Sequence, residues 1–212
     1  MKLYGYFRSS AAYRLRIALN LKGLNHQQVP VSLLKGEQLA DSYKAINPQG
    51  LVPALEDGSS LFTQSLAICE YLEETHPAPS LLPASPNERA RVRALALVVA
   101  CEIHPLNNLR ILKYLKNSLQ LSEEQRNAWY RHWVAQGFTA LETMLAESPM
   151  TGRYCHRDSA GLADAFLVPQ VANAVRYDCP LDAYPTIRRI NEECLKLPAF
   201  AQAQPHLQPD AA

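Results

Sequence analysis

Along the first part of the chain the spacing of apolar residues changes several times, and each change marks an element. Lys2-Leu3-Tyr4-Gly5-Tyr6 is a short run that reads as a buried strand, and the polar stretch Arg8-Ser9-Ser10 follows it. Leu15, Ala18, Leu19 and Leu21 then recur at helical spacing and stop at Gly23, the usual residue just past a helix end. His26 to Val31 reads as a second strand, and Gly36 to Tyr43 as a short, polar, irregular helix. Asn47-Pro48-Gln49-Gly50 is turn chemistry, and Leu51-Val52-Pro53-Ala54-Leu55-Glu56 starts a strand with a proline near its beginning. Asp57-Gly58 signals a hairpin into Ser60-Leu61-Phe62. Gln64-Ser65 then opens a helix carried by Leu66, Ala67, Ile68, Tyr71 and Leu72.

Residues 1–76 therefore read β-α-β-α-β-β-α, the order of a thioredoxin-like α/β domain: a small mixed sheet with helices on both faces. From Pro77 the composition changes. Pro77, Pro79, Pro83 and Pro86 make 77–86 a stiff linker, and residues 87–212 read as an all-α domain. Asn87 to about Leu119 is expected as one long helix, bent at Pro105. Ser122-Glu123-Glu124-Gln125 is a capping box opening a helix to about Glu147, with Trp129, Trp133, Phe138, Leu141 and Leu145 as its core stripe. Leu162 to about Tyr177 and Tyr184 to about Leu197 complete the helices, and the polar tail Gln202 to Ala212 reads as loosely ordered.

Composition narrows the function classes. The chain has 212 residues, 48% of them hydrophobic, enough for a sizeable core. With 21 basic and 20 acidic residues the net charge is +1, which points to neither nucleic acid nor an anionic membrane as the main partner. No signal pattern is evident, and no apolar run looks long enough to span a membrane. The five cysteines (Cys69, Cys101, Cys155, Cys179, Cys194) are odd in number, widely spaced and without a Cys-x-x-Cys pair. Neither they nor the six histidines form a metal-ligand cluster, so a metal-free cytoplasmic protein is expected.

The candidate chemistry lies where the first strand turns into a helix. A helix start offers unpaired N–H groups and the positive end of the dipole, a place for an anion. Ser9 and Ser10 sit there, and each could instead serve only as a helix cap, the commoner use of serine at that position. In this context Ser9-Ser10-Ala11-Ala12-Tyr13-Arg14-Leu15-Arg16-Ile17-Ala18-Leu19 resembles the Ser-Ser-Cys-x-Trp-Arg-Val-Arg-Ile-Ala-Leu segment of the zeta-class glutathione transferases. Asn47-Pro48-x-x-x-Val52-Pro53, Gln64-Ser65-Leu66-Ala67-Ile68 and Leu167-Val168-Pro169-Gln170-Val171-Ala172-Asn173-Ala174 match the same family, so the resemblance covers nearly the whole chain.

That resemblance implies the soluble glutathione transferase fold, glutathione as cofactor, a homodimer, and cis–trans isomerisation of a small dianionic keto acid. Within the family the likeness is nearest to the bacterial maleylpyruvate isomerases of the gentisate pathway, with maleylacetoacetate isomerases next. It implies a cis peptide bond before Pro53, which presents the Val52 backbone to glutathione like an added strand. Ser65 would hold the γ-glutamyl carboxylate and Gln64 the amine, while Gln38 and Gln49 would lie near the glycyl end. Ser9, Ser10 and the Ala11 N–H would meet the thiol, and His104 and Asn108, read as sharing a helix face at i, i+4, join the cofactor contacts. Arg8 and Arg176 are expected at the substrate carboxylates or the charge that develops during reaction, and Arg110 as an extra clamp, although on an ideal helix it points away from His104 and Asn108.

The chemistry so implied is conjugate addition of a thiolate to the cis double bond, rotation about the resulting single bond, and expulsion of the thiolate. Ala11 stands where the family has Cys and Tyr13 where it has Trp; this argues against reactions that need a mixed disulfide with the protein and leaves isomerisation intact. Gly161-Leu162-Ala163-Asp164 replaces a Ser/Thr-x-x-Asp capping box, so Asp164 is read as a folding residue. A glutathione-conjugating transferase or peroxidase, and a non-catalytic module of the same fold, are the other readings.

Overall fold

The computed structural model describes residues 1–211. Contacts divide them into two compact units: Met1–Leu82 together with the segment that begins at Leu195, and Pro83–Cys194.

The first unit is built on a four-stranded sheet in the order β2-β1-β3-β4, with β1 Lys2–Gly5, β2 Gln27–Pro30, β3 Ala54–Asp57 and β4 Ser60–Thr63. β1 runs parallel to β2 (Leu3 opposite Gln28) and antiparallel to β3 (Leu3 opposite Leu55), and the Asp57-Gly58 hairpin joins β3 to β4. The expected element order holds. Helix α1 (Ser10–Leu21) crosses from β1 to β2, a short 3-10 turn Glu37–Leu39 precedes α2 (Asp41–Lys44), and α3 (Ser65–Thr75) packs on α1. Every residue of α1 from Ser10 to Leu19 is buried, its polar side chains included.

Burial of charge in this unit is compensated. Lys22, whose ammonium group is fully buried, donates to Glu73 Oε2 at 2.7 Å and to the carbonyls of His76 (2.7 Å) and Pro79 (3.0 Å). Glu73 in turn accepts from Ser80 Oγ at 2.6 Å and from the N–H groups of Leu81 (2.9 Å) and Leu82 (3.2 Å). One ion pair thus binds the end of α1, α3 and the stretch read as linker.

The last segment overturns the expectation of a loose tail. Helix α9 (Pro198–Ala201) lies on α1, Asn20 donates to the Ala199 carbonyl at 3.0 Å, and Gln208 is buried with its amide donating to the carbonyls of Gln202 and Gln204. Its polar residues looked solvated because their partners, such as the Gln28 side chain and nearby backbone carbonyls, are set by the fold and not displayed by sequence. Residues 195–211 therefore belong with the first unit and not, as the domain reading had it, with the helices that precede them.

In the second unit, α4 (Pro86–Leu97) continues into a π-helical stretch Val98–Ile103, then a 3-10 turn Pro105–Asn107 and α5 (Leu109–Asn117). The single bent helix expected over this span is replaced by separate pieces. Taken as one stretch, Pro86–Asn117 does have the length and composition of a membrane span, contrary to the sequence reading. Helix α4 packs on α7 (Leu162–Arg176) and the π segment on α6 (Glu123–Ala146). The Ser122 capping box is present, with Ser122 Oγ accepting from Gln125 N (3.2 Å) and Gln125 Oε1 from Ser122 N (2.8 Å). The buried stripe of α6 is Tyr130, Val134, Phe138, Leu141 and Leu145, so Trp129 and Trp133 flank the core and do not fill it. Asp164 is buried and accepts from Gly161 N (2.9 Å) and Cys155 N (2.8 Å), a structural anchor for α7. Helix α8 (Pro185–Leu195) closes the unit.

Burial alone would raise the Glu73 carboxyl, but the bonds from Lys22, Ser80 and Leu81 outweigh it and hold it below its ordinary value. A depressed folded pKa contributes stability that is complete above the unfolded value and is lost as pH falls through the folded one. Chemical denaturation of Lys22→Met should show a loss of about 3 kcal/mol at neutral pH. The stability difference between wild type and Glu73→Gln should shrink on acidification below about pH 4.

Candidate active site

The start of α1 is fixed by its own cap. Ser9 has extended backbone (φ −69°, ψ 115°), and its hydroxyl oxygen accepts from Ala12 N at 3.2 Å. Its N–H donates to the Tyr6 carbonyl at 2.9 Å. Capping takes one lone pair of Ser9 Oγ and leaves its proton to donate elsewhere, so the cap and anion readings are compatible. Ser10 and Ala11 occupy the first turn, where N–H groups have no intrahelical acceptor. Arg8 is exposed just before them, its guanidinium 5.0 Å from the Phe7 ring centroid.

A second helix start belongs to the same unit. Ser65 is the first residue of α3 and is buried, and Gln64 before it has φ 69°, ψ 115°. A positive φ at a residue with a Cβ costs of order 1–3 kcal/mol, and such strain concentrates at functional sites. Gln64 Nε2 donates to Gln49 Oε1 at 2.8 Å, which brings two of the expected contacts together. The Val52–Pro53 peptide is cis, as the resemblance implied. Gln38 is buried and its Oε1 has no hydrogen-bond partner. Gly50, with φ +62°, lies so close to the Gln38 carbonyl that a Cβ would sit 3.0 Å from it. Turn 47–50 and the Gln38 turn are therefore packed backbone to backbone.

One residue that the sequence reading passed over ties the two helix starts together. Arg14, one turn into α1 and buried, donates from Nη1 to Ser65 Oγ at 3.1 Å. With that lone pair occupied, the Ser65 proton is directed to another acceptor. The available sequence signal was a pair of arginines, Arg14 and Arg16, on a largely apolar helix, which is costly unless the charges have work to do.

Two expected residues of the second unit, His104 and Asn108, do not share a helix face. Asn108 has left the helix (φ −76°, ψ 164°) and caps α5 through its Oδ1, which accepts from Ile111 N at 3.2 Å. His104 sits at the end of the π segment, so the i, i+4 face it was to share with Asn108 does not exist. The π turn and Pro105 broke the register, and Asn is a strong cap former. Arg110 is exposed in the first turn of α5. Arg176 ends α7, exposed, with its guanidinium 5.0 Å from the Tyr177 ring, which stacks on Tyr130 at 3.7 Å.

Helix α1 itself carries no cysteine. Cys69, Cys155, Cys179 and Cys194 are buried, and burial pushes Cys69 up to about 12 and Cys179 up to about 11. Cys101 is exposed on the π segment of the other unit. Among the described residues no group of His, Cys, Asp and Glu could hold a metal ion.

Comparison with known proteins agrees with this geometry. Residues 3–80 match the glutathione S-transferase N-terminal domain family. Over the full length of both chains the sequence is 50% identical to a maleylpyruvate isomerase of Ralstonia sp.. A solved holo structure of a maleylpyruvate isomerase, described as a bacterial glutathione S-transferase in the zeta class, superposes with a TM-score of 0.98 at 50% identity, covering both chains completely. A maleylacetoacetate isomerase structure from Methylobacterium extorquens AM1, with malonate and GSH bound, gives 0.97 at 45% identity, again over both chains completely.

Gln64→Gly should relieve the positive φ and so hold or raise unfolding free energy, while binding of glutathione, by calorimetry, weakens about tenfold. Gly50→Ala should lower stability by about 1 kcal/mol and weaken the same binding, because its Cβ would push the Gln38 turn away.

Proposed function

We propose that this chain, which belongs to the zeta class of the glutathione transferases, is a glutathione-dependent cis–trans isomerase converting maleylpyruvate to fumarylpyruvate. The observation that carries the reading is the Arg14–Ser65 bond, which sets two helix starts one arginine side chain apart in one unit. A ligand with a carboxylate at one end and a thiolate at the other suits two such positive termini.

The residues of the first unit fit glutathione. Ser65 Oγ, its lone pair engaged by Arg14, has a proton for the γ-glutamyl carboxylate, and Gln64 lies beside it for the amine. Gln38 Oε1, buried without a partner, can accept from an N–H toward the glycyl end, and Gln49, next to the Gly50 that packs on the Gln38 backbone, is read toward the same end. Val52, ahead of Pro53, offers its backbone groups. Bound glutathione supplies a thiolate that adds reversibly to the double bond and so permits rotation.

The protein's own part is electrostatic. The Ser9 proton and the first-turn N–H groups of Ser10 and Ala11 favour the anionic form of a sulfur at the start of α1. Ala11 leaves no thiol there to be captured as a mixed disulfide, which supports isomerisation over redox or dehalogenating chemistry. Arg8 presents a cation to the dianionic keto acid from the residue before Ser9. The family likeness assigns carboxylate contacts to Arg176 and Arg110 and cofactor contacts to His104 and Asn108; Asn108 would then act from the cap of α5 and not from a shared helix face. It also supports cytoplasmic location, a homodimer and a place in the gentisate route.

A second reading has its own support: the close structural match to a maleylacetoacetate isomerase keeps that longer dianion as the alternative substrate. Proton NMR of maleylpyruvate with sub-stoichiometric glutathione should show many turnovers to fumarylpyruvate with glutathione intact. Conversion that stops once glutathione is consumed would indicate a conjugating transferase, and faster turnover of maleylacetoacetate would exchange the substrate. Arg176→Ala should raise the keto-acid KM at least about tenfold and leave glutathione affinity within about twofold.

A further inference from the structure

Between the end of β1 at Gly5 and the start of α1 at Ser10 lie Tyr6, Phe7, Arg8 and Ser9, without regular structure. This loop sets where Arg8 and Ser9 sit, and both backbone polar groups of Phe7 are bonded to side chains outside it. Phe7 N donates to Asp210 Oδ2 at 2.9 Å, across 203 residues of sequence. The Phe7 carbonyl accepts from Arg16 Nη2 at 3.1 Å, and the same guanidinium donates from Nε to the Ala203 carbonyl at 3.0 Å. Arg16 is buried on α1, and its planar fork fixes both bonds in one orientation. Both polar backbone atoms of Phe7 are thus served by charged side chains, and charge-assisted bonds are about twice as strong as neutral ones.

We infer that Asp210 and Arg16 are positioning residues: the last segment of the chain clamps the Phe7 backbone and thereby fixes Arg8 and Ser9 for the thiolate and the keto acid. This rests on the function proposed above. A tail that only needed tethering could dock on any surface of the unit. This one, through Asp210 and the Ala203 carbonyl, closes on the residue next to Arg8, two before the cap of α1. Neither Asp210 nor Arg16 is required to touch glutathione, so their effect should fall on thiolate formation and turnover and spare the peptide contacts at Gln49, Gln64 and Ser65.

The experiment uses the full chain, Asp210→Ala, Asp210→Asn and a chain ending at Pro209, each loaded with glutathione. Ultraviolet thiolate absorbance is titrated against pH, steady-state kinetics are run with maleylpyruvate, and amide exchange is followed across residues 6–9. The inference predicts that Asp210→Ala raises the pKa of the bound thiol, lowers kcat about tenfold, speeds exchange at Phe7, and changes glutathione Kd by less than about twofold. Asp210→Asn keeps an acceptor and should recover most of the loss. The chain ending at Pro209 should behave like Asp210→Ala and serves in its place should that variant fail to fold. A fall in thermal stability with thiolate pKa and kcat unchanged would overturn the inference, as would equal losses in Asp210→Ala and Asp210→Asn. A wild-type protein without turnover would contradict the proposed function instead. Exchange at Phe7, fast in Asp210→Ala and slow in wild type, would still support the clamp, and equal exchange would reject it.

Discussion

The bond from Arg14 to Ser65 joins α1, one turn in, to the first residue of α3, and much of the first unit is arranged around it. A buried guanidinium is expensive, so its location is tightly specified by the groups that receive it. Here the receiver is the hydroxyl at the start of α3, and the donor stands one turn into α1. Pulling the two helices apart would strand both. The positive ends of two helix dipoles would repel were nothing negative brought between them, which is the condition a ligand with two anionic groups meets. Stability and binding are thus coupled through one contact.

Helix α1 carries this logic along its length. Arg14 and Arg16 project from it and Lys22 caps its end; all are buried, and each bonds to a different part of the unit. Arg14 reaches α3, Arg16 the loop before the helix and the final segment, and Lys22 the Glu73 pair and the carbonyls that follow. The helix is therefore both the hydrophobic centre of the unit and the hub of its charge network. An apolar helix could fill the same space, but it would not fix the direction from which each loop arrives.

What could be read in the sequence was local. The Ser9-Ser10 strand-to-helix turn, the Asp57-Gly58 hairpin and the Ser122–Gln125 capping box each depend on residues within a few positions, and all appear where the pattern put them. The zeta-class motifs are also local, which is why the family was legible and the couplings were not. Arg14 to Ser65 spans 51 residues and Phe7 to Asp210 spans 203, distances at which periodicity and turn chemistry carry no information. Asn108 was misplaced for a different reason: a π turn of six residues shifted the helix register, and the asparagine then capped a new helix where an unbroken one was expected. The tail was misread because its partners are nearby backbone carbonyls and groups far away in sequence, the Phe7 N–H and the Gln28 side chain among them.

The central claim is that the start of α1 stabilises a thiolate without a protein cysteine. Its most direct test is a pH titration of the ultraviolet thiolate absorbance of glutathione bound to the wild-type protein. A pKa below about 7.5, against about 8.5 for a free thiol, is the predicted result. A bound thiol titrating at the free value would contradict the account.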